Sequence, residues 1–164
     1  MDVTQEDLEA LAGRLGQALA ARGWLLACAE SCTGGWAAQA ITAIAGSSAW
    51  FDRGFVTYSN AAKLELLGVR ETTLAVHGAV SEPTVREMAL GALAHSRAQA
   101  AFAISGIAGP GGGTPDKPVG TVCFAWALHT GRVDSQTLRF TGDRRGIRAQ
   151  SVAHALQGML ERVQ

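Results

Sequence analysis

The sequence predicts a single α/β domain in which helices cover both faces of a mixed sheet. Two observations point to the layers. Short apolar runs such as "WLLACA" and "QAAFAISGIAG" alternate with segments of helical apolar spacing. Towards the C-terminus, "TVCFAWALH" and "VDSQTLRF" follow one another across "TGR", as in an antiparallel hairpin, so the sheet is not wholly parallel. A third observation sets the domain count. The chain has 164 residues, 48% of them hydrophobic and 17% charged, with no internal repeat or linker. That suits one hydrophobic core, and residues 1–164 are read as one domain.

The elements follow in order. Thr4 and Asp7 form a capping-box pattern, after which Leu8, Leu11, Leu15 and Leu19 keep helical spacing up to Gly23. "WLLACA" reads as a buried strand, "GGWAAQAITAIA" as an Ala-rich helix and "WFDRGFVTYS" as a second strand. Asn60 is the expected cap of a short helix, "AAKLELLG", closed by Gly68. Ser81 is the expected cap of the next, with Pro83 tolerated in its first turn and Val85, Met88, Ala89, Ala92 and Leu93 on one face. A third strand, "QAAFAISGIAG", runs into the loop "GPGGGTPDKPVG" and then the hairpin. Asp143 caps a last helix that buries Val152, Leu156, Met159 and Leu160.

Charge and cysteine usage narrow the function classes. Lys plus Arg and Asp plus Glu both total 14, which argues against a general grip on nucleic acid or an anionic membrane. No apolar run approaches the roughly 18 residues of a membrane span, and the acidic, amphipathic N-terminal stretch is unlike a signal peptide. Cys28, Cys32 and Cys123 cannot all pair and lack metal-site spacing, so a cytoplasmic protein with reduced thiols and no metal or cofactor is expected.

Four stretches carry candidate chemistry. In "ACAESCTGGW", Ser31 falls where a strand gives way to a helix. There a hydroxyl can cap the helix, help to hold an anion near unpaired N–H groups, or attack an electrophile. Cys32 beside it is a rival nucleophile. Among the histidines only His77, in a loop, is placed to serve as a base; His95 and His154 fall in helices and His129 at a hairpin turn. In "TYSNAAKLELL", Lys63 lies in a helix first turn, where the dipole and partial burial beside Tyr58 favour a neutral amine able to act as base; the alternative is a solvated lysine. The loop from Ser105 to Gly120 interleaves six glycines, counted from Gly106, with three prolines, either as a shaped anion cradle or as surface loop. "TGDRRGIR" places Arg144, Arg145 and Arg148 in the first turns of the last helix, with Arg144 and Arg148 on one face.

Taken in order, "AESCTGG", "GFVTYSNAAKLELLGV", "GAVSEPTVREMA", "SGIAGPGGGTPDKPVGTV" and "GDRRGIR" resemble the C-terminal domain of CinA proteins, the nicotinamide-nucleotide amidohydrolase family. The resemblance spans about Leu8 to Leu160. It implies hydrolysis of the carboxamide of nicotinamide mononucleotide, with Ser31 as nucleophile and Lys63 and Tyr58 as its catalytic neighbours. Substrate contacts are expected from Cys32, Thr33, Gly34, Gly35, Ser105, Gly106, Gly111, Gly112 and Arg144. Ser105 stands where threonine is frequent. The resemblance further implies a homodimer with a small nucleotide substrate. Longer members carry an extra N-terminal domain, whose activities are not expected of this sequence. A non-catalytic nucleotide- or partner-binding module linked to competence or DNA damage is the alternative.

Overall fold

The computed structural model describes residues 2–164. Helix α1 (Gln5–Arg22) leads to strand β1 (Leu26–Glu30), helix α2 (Trp36–Thr42), a 3-10 turn at Ser47–Ala49 and strand β2 (Phe51–Val56). Helices α3 (Asn60–Leu67), α4 (Glu71–His77) and α5 (Glu82–Ala94) follow. Strands β3 (Ala100–Gly106), β4 (Thr121–Leu128) and β5 (Val133–Arg139) precede helix α6 (Arg144–Val163). The sheet order is β2-β1-β3-β4-β5. Strands β2, β1 and β3 are parallel, and β4 and β5 join antiparallel. The expected mixed sheet and hairpin are both present.

Local chemistry accounts for the elements. Thr4 Oγ1 accepts from the Asp7 N–H at 3.1 Å and the Asp7 carboxylate accepts from the Thr4 N–H at 2.9 Å, completing the capping box. Gly23 ends α1 in the left-handed conformation at φ 67°. β1 and β4 are buried throughout and β3 nearly so, as befits interior strands, whereas edge strands β2 and β5 are partly exposed. Two details differ from the sequence reading. Ser59, not Asn60, caps α3, because its hydroxyl accepts from the Ala62 N–H; Asn60 is already the first helical residue. Helix α4 has no counterpart in the sequence pattern, since "ETTLAVH" has no apolar periodicity and buries only Thr73.

The two faces of the sheet differ in side-chain size. Leu26, Cys28, Phe102, Ile104, Phe124 and Trp126 face α1, α2 and α6. On the other face Ala27, Ala101 and Ala127 lie in one row across β1, β3 and β4, and Ala29, Ala103 and Ala125 in the next. Such small side chains let α5 sit close, with Val85, Met88, Ala89 and Ala92 against them. One step further along the same register, at the carboxyl ends of the strands, the small residues become polar. Ser31, Ser105 and Cys123 continue the alanine rows, with the Ser31 N–H donating to the Ile104 carbonyl at 3.0 Å. Thr57 extends the row beyond β2, its N–H donating to the Glu30 carbonyl at 2.8 Å. The chain leaves β1 for β2 on one side and then crosses to β3 on the other. Ligands of open α/β sheets bind at the carboxyl edge of such a reversal.

Candidate active site

Ser31 follows β1 directly and opens a tight turn through Gly35. Lys63 reaches it from α3, packed over the alanine face. The Lys63 side chain is buried at 1% exposure, and its Nζ lies 3.0 Å from Ser31 Oγ. Two carbonyls complete the amine's surroundings, Thr57 at 2.8 Å and Tyr58 at 3.4 Å. As an ammonium, Lys63 donates to all three. As a neutral amine it donates to the two carbonyls, which leaves its lone pair for the Ser31 hydroxyl proton. Burial lowers the Lys63 pKa from its ordinary value of 10.5, and Cys32 opposes that shift. Cys32 opposes it only as a thiolate, however, and burial pushes its own pKa up to about 11. At neutral pH it is a thiol, so desolvation acts on Lys63 unopposed.

The hydroxyl and amine open onto a cleft of about 270 Å³ lined by Ser31, Cys32, Tyr58, Lys63, Ala79, Val80, Ser105, Gly106, Ala108 and Arg144. Among the described residues its lining holds two basic side chains, Lys63 and Arg144, and no carboxylate. Ser105, 1% exposed, has no hydrogen-bond partner for its Oγ among the described residues. Arg144 donates to the Gly109 carbonyl at 2.7 Å and to the Tyr58 hydroxyl at 3.5 Å, which places its guanidinium at the rim.

Several expected site residues stand elsewhere. Tyr58 lines the cleft but is 65% exposed, and its hydroxyl meets Arg144; its contact with Lys63 runs through the backbone carbonyl, not through a phenol relay. Gly111 and Gly112 are exposed and lie outside the cleft lining, so the loop contributes through its start, at Ser105, Gly106 and Ala108. Thr33, Gly34 and Gly35 also lie outside that lining. The Gly34 N–H donates to the Ser31 carbonyl at 3.1 Å and is not free for a ligand. Neither Ser31 nor Thr33 caps α2. The Glu30 carboxylate accepts from the N–H groups of Ala37 and Ala38, so the helix end is already occupied. His77 closes α4, where its carbonyl accepts from Lys117 Nζ at 2.8 Å; the imidazole is not part of the cleft.

Two residues support the site in ways the sequence does not state: Glu30 has no clear signal there, and Arg148, an expected anion-binding candidate, holds backbone carbonyls instead. Glu30 is a lone carboxylate in an apolar strand, and only its place before a helix start hints at capping. Arg148 donates to the Cys32 and Thr33 carbonyls, both at 3.0 Å, and braces the Ser31 turn from α6, while Arg145 lies over the Trp36 ring at 5.6 Å. Among the described residues, no group of three or more His, Cys, Asp or Glu side chains is placed to hold a metal, and no helix is long and apolar enough to cross a membrane.

The model of the CinA C-terminal domain family matches residues 8–163. The chain belongs to this family. A protein of Escherichia coli strain K12 named nicotinamide-nucleotide amidohydrolase PncC is 59% identical over 155 residues, covering 94% of each chain. A putative competence-damage inducible protein of Symbiobacterium thermophilum is 54% identical over 92% of this chain, but that match spans 37% of the relative's length. The crystal structure of competence/damage inducible protein CihA from Agrobacterium tumefaciens superposes with a TM-score of 0.94 at 48% identity, covering 96% of both chains.

Proposed function

We propose that the protein hydrolyses the carboxamide of nicotinamide mononucleotide to nicotinic acid mononucleotide and ammonia, through an ester on Ser31. The observation that carries this reading is the buried Lys63 amine 3.0 Å from Ser31 Oγ, within proton-transfer reach. The substrate class follows from the name of the relatives that match over nearly their whole length.

Lys63, neutral, takes the Ser31 proton as Oγ bonds to the carboxamide carbon. The oxyanion forms beside the Cys32 N–H, which donates to no backbone carbonyl among the described residues. One such donor is worth ~3 kcal/mol to the transition state. Lys63 then protonates the amide nitrogen, the C–N bond breaks and ammonia leaves. Water adds to the ester carbon and yields its proton to Lys63, and Oγ departs with that proton returned. Ser105 Oγ, buried and unpartnered at the cleft wall, takes a polar group of the substrate. Arg144 at the rim faces the phosphate, as a guanidinium suits. The Arg144 guanidinium in the cleft lining agrees with an anionic substrate. The wider setting is proposed with it: a cytoplasmic homodimer acting in pyridine nucleotide salvage on a small nucleotide, without nucleic acid or membrane partners.

Ammonia release from nicotinamide mononucleotide tests the reading, with Ser31→Ala alongside. Turnover by wild type and its loss in the variant is the expected result. Thermal stabilisation by the nucleotide without turnover favours the binding-module alternative, and full activity of Ser31→Ala removes the nucleophile.

A further inference from the structure

Glu30 immediately precedes the proposed nucleophile and is buried at 1% exposure. Side chains alternate along β1, so Glu30 shares the large-residue face with Leu26 and Cys28, whereas Ser31 turns to the face where Lys63 lies. A buried carboxylate needs donors. Glu30 Oε1 accepts from Thr33 Oγ1 at 2.6 Å and from the Ala37 N–H at 2.9 Å, and Oε2 accepts from the Ala38 N–H at 3.0 Å. The Cys28 sulfur lies 4.0 Å from Oε2.

These donors belong to two different pieces of chain. Ala37 and Ala38 belong to the first turn of α2, whose cap position is Gly35, with no side chain to serve it. Thr33 is the centre of the turn that begins at Ser31. Gly34 and Gly35 beside it adopt φ 59° and 99°, and this pair gives the turn no Cβ of its own to pack. One carboxylate therefore ties the strand end, the nucleophile turn and the following helix together. Thr33, fully buried, directs its hydroxyl at Glu30 and away from the cleft, contrary to its expected place as a substrate contact.

We propose that Glu30, acting through the Thr33 hydroxyl, is a positioning residue for the nucleophile: it fixes the turn so that Ser31 Oγ meets the Lys63 amine. The inference rests on the serine-nucleophile reading above. Proton transfer and attack are steep in geometry, and a displacement of about 1 Å can lower a rate by roughly a hundredfold.

Thr33→Val keeps the side-chain shape and removes the donor; Thr33→Ser keeps the donor. For each, kcat and KM for ammonia release are measured well below the variant's Tm. Under the same conditions mass spectrometry follows the rate at which phenylmethanesulfonyl fluoride labels Ser31. Thr33→Val is expected to lower kcat and the labelling rate together by roughly ten- to hundredfold. KM should stay within about twofold, and Thr33→Ser should stay near wild type. If the valine variant does not fold, Thr33→Ala carries the same expectation. Wild-type kcat and labelling in the donor-less variant, or equal damage from Thr33→Ser, overturns the proposal. Ammonia release by wild type with no labelling of Ser31 overturns the nucleophile reading itself, whereas labelling indifferent to Thr33 overturns only the positioning role.

Discussion

Replacing Lys63 by methionine separates what the amine does for catalysis from what it does to stability. The side chain is nearly isosteric, but the base 3.0 Å from Ser31 Oγ is gone. General-base catalysis contributes typically 10²–10⁴-fold, about 3 to 5 kcal/mol of barrier, so kcat should fall by at least that much while nucleotide binding persists. For stability two effects oppose each other. The Thr57 carbonyl loses a donor at 2.8 Å, a penalty of about 1–3 kcal/mol for a buried acceptor, while the variant no longer desolvates an amine. The pH dependence has a definite sign. The folded-state pKa of Lys63 lies below 10.5 because burial disfavours the ammonium. Between that lowered value and 10.5 the unfolded chain binds the extra proton, so wild type gains stability over the variant as pH rises through this window. Ammonia release across pH and Tm of both proteins across the same range are the assays. A variant with kcat within tenfold of wild type, or a Tm difference that stays flat with pH, refutes the reasoning.

Three further outcomes are expected. Cys32→Ser should keep kcat within about tenfold, because a thiol whose pKa is raised to about 11 is not the nucleophile; loss of turnover equal to that of Ser31→Ala contradicts this. Arg144→Met should raise KM for the nucleotide far more than it lowers kcat, since the guanidinium bonds the Gly109 carbonyl and the Tyr58 hydroxyl and not Ser31 or Lys63; steady-state kinetics distinguish the two. Gly91→Ala should lower Tm sharply, because the added Cβ would sit 2.0 Å from the Leu67 carbonyl oxygen, where α5 passes the end of α3. Overpacking of this kind costs about 1–3 kcal/mol, read by thermal denaturation.

Much of the layer structure is visible in the sequence, because interior strands here are apolar runs, and the N-caps Thr4, Ser81 and Asp143 are strong local signals. The alternation of alanine with larger residues in "AAFAI" and "CFAWA" even encodes the two unequal faces of the sheet. The candidate dyad is legible only as two separate places, a strand end and a helix first turn. What joins them is the crossover that brings Lys63 of α3 to the carboxyl end of β1, a tertiary fact that no local pattern states. Side-chain direction at the site is set by partners beyond the nearest neighbours in the chain. Tyr58 sits one residue beyond Thr57 in the chain and so turns outward to Arg144. Thr33 turns inward to satisfy Glu30, whose burial depends on donors supplied by residues three to eight positions later. Ala79 and Val80, which line the cleft, are small apolar residues with no chemical signature at all.

The most direct test of the central claim is to quench the protein during turnover of nicotinamide mononucleotide and map the modified peptide by mass spectrometry. The expected species is an ester of nicotinic acid mononucleotide on Ser31, absent from Ser31→Ala. An adduct on Cys32, or steady ammonia release from the alanine variant, contradicts the account.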